Sequence, residues 1–196
     1  MIPSVIGAVV SGALTWTFLE YWIHRSLGHN KRFKKNPFAV EHIRHHVEGN
    51  YFAPTWKKLL AAAIAASIAS VPAILALGTR VGVAYVAGLI GFYGVYELMH
   101  RLEHVLPGLG PYGRWARRHH FTHHFTDARY NHGVTTPLWD FVFGTYKKPG
   151  TIVVPKKLCM EWLKDPETGG VRADWADTYV LTRSAIPGGV QGSTTR

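Results

Sequence analysis

Residues 59–78 read LLAAAIAASIASVPAILALG, twenty positions without a charged side chain. As a helix, such a run is roughly 30 Å long, the thickness of a bilayer's hydrocarbon core. Val81 to Met99 repeats the pattern and is interrupted only by Glu97. Gly78, Thr79 and Arg80 leave room for no more than a tight turn, so the two blocks are expected to pair as a helical hairpin. Ile2 to Leu19 is a third block, apolar up to Glu20. It lacks a basic leader and a small-residue cleavage site, and reads as a retained helix rather than a signal peptide. The competing reading is a buried helix pair in a water-soluble protein, but two adjacent uncharged blocks of this length favour lipid. The expected fold is all-α: an integral membrane helical bundle of three helices, a fourth being left open, beneath a His-rich cytoplasmic cap.

Charge sets the orientation. The chain has 22 Lys+Arg against 12 Asp+Glu, for a net charge of +10. Arg80 is the only basic residue between 59 and 100; all the others lie in 20–58 or after residue 99. Three spans put those two basic stretches on one side of the membrane, which the positive-inside rule makes cytoplasmic. The excess then fits anionic lipid headgroups or an acidic protein partner, and not nucleic acid, since no separate basic domain exists. One cysteine, Cys159, excludes an intrachain disulfide framework and any Cys-based zinc module. The expected organisation is a membrane domain over 1–149, a C-terminal cytoplasmic extension over 150–183 with a short amphipathic helix at 156–164, and a disordered tail over 184–196.

All 12 histidines lie outside the uncharged blocks. They sort into four boxes: His24 with His29; His42 with His45 and His46; His100 with His104; and His120 with His123 and His124. His119 and His132 flank the last box. Residues four apart sit about 40° apart around a helix, so His100 and His104 share a face, as do the matching pairs in the second and fourth boxes. Two such imidazoles can grip one metal ion. His24 and His29 are about 140° apart on a regular helix and need an ending or a bulge between them, which Gly28 offers; serving different metals is the alternative. Ten imidazoles exceed one ion's needs, and two metals with about five ligands each is the natural count. Imidazole suits iron, zinc, copper and nickel, so ligand type does not name the metal. Carboxylates recur beside the boxes: Glu20, Glu41, Glu97 and Glu103. Ring N–H groups of metal-bound histidines commonly donate to such groups, and Glu20 and Glu97 are costly at a membrane edge without a role. Asp140, with Trp139, follows a turn at Pro137 and is placed to brace the fourth box.

The strings EYWIHRSLGH (20–29), EHIRHH (41–46), YELMHRLEH (96–104), RRHHFTHHF (117–125) and NHGVTTPLWDFVFGT (131–145), in this order, resemble the fatty acid hydroxylase and sterol desaturase superfamily. The likeness spans roughly 18–146 and is strongest to the fatty acid 2-hydroxylase (sphingolipid alpha-hydroxylase) branch. The resemblance implies a non-haem dimetal oxidoreductase, normally di-iron, with zinc able to occupy the site in a resting or recombinant form. It implies dioxygen as co-substrate and one oxygen atom inserted into a C–H bond of a fatty acyl or related lipid. Carried over by position, the ligands are His24, His29, His42, His45, His46, His100, His104, His120, His123 and His124. Glu20, Glu97, His119, His132 and Asp140 become supporting residues and no separate catalytic residue is implied. Larger members carry four membrane helices, which aligns the start of this chain with their second. No flavin, haem or ferredoxin motif accompanies the boxes, so two electrons per turnover are expected from an external ferredoxin or cytochrome b type donor with its reductase.

Rival readings separate by position. Carotenoid hydroxylases and lipid or sterol desaturases belong to the same superfamily; the Leu-Trp-Asp segment and the spacing of the third box favour the fatty acid branch. A metal transporter places ligands near the bilayer midplane, and 59–96 holds none. A non-catalytic zinc protein would share the boxes and yield no lipid product.

Overall fold

The structure is a computed structural model that describes residues 2–182; the tail expected over 184–196 lies outside the described residues. The chain is mainly helical. α1 (Ile2–Ile23) runs into a π-helical turn (His24–Gly28), and α2 (Pro37–Glu48) follows a short 3₁₀ turn. Next come α3 (Thr55–Leu77), α4 (Thr79–Val105), α5 (Gly110–Phe125) and the short α6 (Leu138–Val142). Two strands, β1 (Ile152–Pro155) and β2 (Tyr179–Thr182), pair in parallel with Ile152 opposite Tyr179.

Three helices are long and apolar enough to cross a membrane: α1 with its π turn, α3 and α4. No fourth is found among the described residues. α3 and α4 form the expected hairpin, broken only at Gly78, whose φ of 76° is open to glycine at little cost. α1 and α4 pack along their length because Gly12 and Gly88 remove side chains from the seam. A methyl at Gly12 would collide with the backbone of Tyr85, and one at Gly88 with the backbone of Val9. Leu75, Ile68 and Leu59 of α3 point outward, and Ala73 is its only buried residue. Such a helix surface is stable in lipid and not in water.

α2 is well capped. The Asn36 side chain accepts from the Ala39 N–H at 3.0 Å, Pro37 opens the helix, and Gly49 closes it by donating to the His45 carbonyl. The extension beyond 150 packs on α5: Phe121 and Phe125 share one core with Ile152, Val154, Met160, Trp162, Leu163 and Tyr179. Two details differ from the sequence reading. Segment 156–164 is a 3₁₀ turn followed by a further turn, because Met160 joins Trp162 and Leu163 in the core, whereas on a regular helix it would fall beside Lys157 and Lys164 on the polar side. The β-branched run Ile152–Val154 pairs with β2, a strand pair that the all-α reading did not include.

Candidate metal centre and its apolar cavity

Ten histidines converge at the ends of α1 and α4 and on the inner faces of α2 and α5. They form two groups of five: His24, His29, His42, His46 and His123; and His45, His100, His104, His120 and His124. Within each group one ring nitrogen from every histidine lies within 4.8 Å of all the others. The π turn makes the first group. Its i→i+5 winding brings His24 and His29 one turn apart, with Nε2 atoms separated by 3.3 Å. α2 and α5 each serve both groups, since residues one position apart on a helix point to different neighbours.

Main-chain carbonyls fix three of the rings. Nδ1–H of His24 donates to His132 O at 2.5 Å, that of His45 to Tyr51 O at 2.6 Å, and that of His123 to Tyr130 O at 2.7 Å. With the proton held on Nδ1, each Nε2 carries its lone pair inward. His29 Nε2 then faces the Nε2 atoms of His24, His42 and His123 at 3.3, 2.8 and 2.8 Å. One ring nitrogen cannot satisfy three neighbours by hydrogen bonding, whereas a cation among them would satisfy all. In the second group both ring nitrogens of His124 are buried with no hydrogen-bond partner, a state that costs about 1–3 kcal/mol unless something else binds them. The donor set fits a metal ion of the imidazole-loving kind.

Burial keeps these rings neutral. It pushes His29 down to about 3 and His45 to about 4, and it holds His42, His46, His120, His123 and His124 well below the ordinary imidazole range. Neighbouring histidines add to the effect. Neutral rings are what a metal requires.

The remaining flagged residues support the groups from outside. His119 and His132 belong to neither. Asp140 accepts from His119 Nε2 at 3.1 Å, from the peptides of His132 and Gly133 at 2.9 and 2.8 Å, and from Thr145 Oγ1 at 2.7 Å. Burial alone would raise its pKa, but these bonds outweigh burial and hold the carboxylate below its usual range. The loop so held carries the His132 carbonyl that orients His24. Glu20 holds the same loop, accepting from the Val134 and Thr135 peptides at 2.7 Å and from Thr135 Oγ1 at 2.8 Å. Glu97 pairs with Lys58, and Glu41 with Lys57 and Tyr51. All three glutamates therefore bond to groups other than imidazole, unlike the carboxylate–histidine contacts expected from spacing.

Sequence reasoning missed Arg117 and Trp162. Arg117 is fully buried, donates to the carbonyls of Glu103, Leu106 and Pro107, and lies 4.2 Å from the Trp162 ring centroid. The Glu103 carboxylate is buried nearby without a hydrogen-bond partner. Basic residues near a box gave no sign of this inward turn.

An apolar cavity of about 810 Å³ opens between α1, α2, α3 and α4. Trp16, Phe52, Trp56, Ile64 and Ile90 line it, together with His42, His45 and His100. Of the other aromatic residues near the interface, Tyr21 is buried against Thr145, Trp22 is exposed, and Tyr51 bonds Glu41.

A bundle of membrane-length helices capped by two five-histidine groups defines a class of membrane metalloproteins, and comparison with known proteins narrows it. The fatty acid hydroxylase family profile matches residues 9–145, and the chain belongs to that family. Fatty acid 2-hydroxylase of Mus musculus is 32% identical over 71% of this chain and 39% of its own length. A dihydroceramide fatty acyl 2-hydroxylase of Arabidopsis thaliana is also 32% identical, over 78% of this chain and 65% of its own length. The chain thus spans from about two-fifths to two-thirds of these relatives. The hydroxylase domain of Scs7p superposes with a TM-score of 0.58 at 27% identity, covering 76% of this chain and 58% of that one.

Proposed function

We propose that this protein hydroxylates a fatty acyl chain of a membrane lipid at a dimetal centre on the cytoplasmic face. One observation carries the reading: the apolar cavity is lined both by residues of the membrane-length helices and by His42, His45 and His100, which are drawn from the two histidine groups. An acyl chain lying in it would bring a C–H bond to the place where metal ions bind. The names of the relatives, fatty acid and ceramide 2-hydroxylases, support a lipid substrate.

The ten histidines of the two groups would hold two iron ions, which when bound supply activation of dioxygen and oxidation of an unactivated C–H bond. The balance is R–H + O₂ + 2e⁻ + 2H⁺ giving R–OH + H₂O. The electrons would come from a ferredoxin or cytochrome b type protein with its reductase, and the basic cap offers an acidic carrier a complementary surface. The chain's own part is to position and to exclude. Trp16, Phe52 and Trp56 would hold the chain in register, and the mainly apolar walls would favour an acyl chain over water beside the reacting carbon. The His132, Tyr51 and Tyr130 carbonyls keep the rings in the metal-binding tautomer.

The test is expression in a lipid-defined host under labelled dioxygen, with a reductase supplied and lipids read by mass spectrometry. The expected product is an acyl chain carrying one labelled oxygen. Loss of two hydrogens without oxygen would indicate a desaturase. An unchanged lipid pool would leave a metal-binding protein without this activity.

A further inference from the structure

The face of α2 opposite the histidines is unaccounted for by the site. His42 and His45 are buried on its inner side, while Val40, Ile43 and Val47 are 54, 40 and 58% exposed on its outer side. Positions 40, 43 and 47 are three and four apart, so they form one apolar stripe along the helix. The loop leading into α2 reads Lys31-Arg32-Phe33-Lys34-Lys35, all five exposed, with Phe33 at 50%. None of its four cations makes an ion pair among the described residues.

Position in the chain says what meets this face. Segment 29–54 is tied at one end to the α1 span, which runs to Gly28, and at the other to α3, which starts at Thr55. Both attachments are ends of membrane-length helices, so the segment lies at the level where those helices leave the bilayer. Pro37 and Val40 also line the apolar cavity, which makes the stripe continuous with it. A basic loop with a central aromatic residue, followed by a helix with one apolar face, has the chemistry of a segment lying in an interface.

We propose that α2 lies in the plane of the cytoplasmic leaflet, with Val40, Ile43 and Val47 among the acyl chains and Lys31, Arg32, Lys34 and Lys35 on anionic lipid headgroups. The metal site is thereby pressed against the membrane surface, and the cavity mouth opens sideways into the leaflet. This rests on reading α1 and α3 as spans, but not on the reaction. A second copy of the chain covering the stripe is the rival occupant, and it would leave the four cations without counter-charge.

The test uses the full chain with Cys159→Ser and one introduced thiol carrying an environment-sensitive fluorophore, in nanodiscs of phosphatidylcholine alone or mixed with phosphatidylglycerol. Probes at Phe33→Cys and Ile43→Cys report the interface, Ile68→Cys on exposed α3 the bilayer core, and Glu167→Cys the aqueous reference. Metal content of each variant checks that the cap is folded. The expected result is quenching of the probes at 33 and 43 by nitroxide-bearing lipid, with several-fold protection from iodide relative to position 167. In mixed discs, converting the four cations to Glu, or more mildly to Gln, should reduce lipid quenching at 33. Iodide quenching at 43 equal to that at 167 overturns the proposal, as does shielding from both quenchers with a cross-linked dimer. Equal quenching at 33 in both disc types, unaffected by the charge variants, overturns the headgroup contact. Absence of lipid quenching at 68 would show instead that the membrane reading itself had failed.

Discussion

The indole N–H of Trp162 donates to the main-chain carbonyl of His104 at 2.8 Å, joining residues 58 positions apart. The same ring covers Arg117, which spans three carbonyls where α4 ends. The extension beyond residue 150 thus steadies the turn that carries the second histidine group. Trp162→Ala should cost about 3–5 kcal/mol of stability and lower metal content, while Trp162→Phe, which keeps most of the packing, should lose about 1 kcal/mol. Thermal unfolding in detergent and metal analysis of both variants check this; wild-type metal content in Trp162→Ala would show that the extension is dispensable to the site.

Asp140 joins the 131–146 loop to His119. Asp140→Ala leaves two peptide N–H groups and the His119 ring without their acceptor. We expect a loss of about 3–5 kcal/mol and metal depletion that begins with the first group, because His132 orients His24. Asp140→Asn should fall between, since an amide oxygen can serve fewer of these donors. Equal unfolding temperatures for all three proteins would contradict this account.

Gly28 ends the π turn. A Cβ there would lie 3.0 Å from His42 Cδ2 and 3.2 Å from Phe38 Cε1. Gly28→Val should push His42 from the first group and overpack the contact by about 1–3 kcal/mol. Metal stoichiometry should drop toward half of the parent's. Retention of the full complement would mean that His42 is not needed there.

The neutral histidines make the metal-stripped protein sensitive to acid. His29 and His45 titrate near 3 and 4 in the folded chain, against about 6.5 when unfolded. Between those values the unfolded chain takes protons that the folded one refuses, so stability falls as pH falls. The contribution is complete above about pH 6.5 and is lost progressively toward pH 4, at up to about 1.4 kcal/mol per pH unit for each such ring. Thermal scans of chelator-treated protein from pH 7.5 to 5 should show a steep decline, and metal-loaded protein a shallower one. A flat profile after chelation would sink the prediction.

Much of this was readable in the residues. Uncharged runs placed α1, α3 and α4, because a charge facing lipid in mid-span is costly. Box spacing placed His100 beside His104 on one face. The sorting of ten rings into two groups was not readable, since it depends on how α2 and α5 sit across from each other. Nor was the winding between His24 and His29, where helix periodicity left two options and the π turn chose one. Arg117 looked like one more basic residue, and nothing local to it indicates burial against Trp162. Segment 156–164 looked amphipathic because Leu158, Trp162 and Leu163 suit a helix as well as they suit the bends that fold them onto α5.

The two histidine groups draw on distant parts of the chain in a crossed manner: His123 joins four residues from 24–46, and His45 joins four from 100–124. With ions in place, each group closes a loop that encloses the whole α3–α4 hairpin. Neither can be completed until residue 123 has emerged from the ribosome, by which time all three spans have been made. Loading of such ions would therefore come late in biogenesis, a clasp fastened after insertion, and a chain truncated before α5 would enter the membrane with both halves of the clasp open.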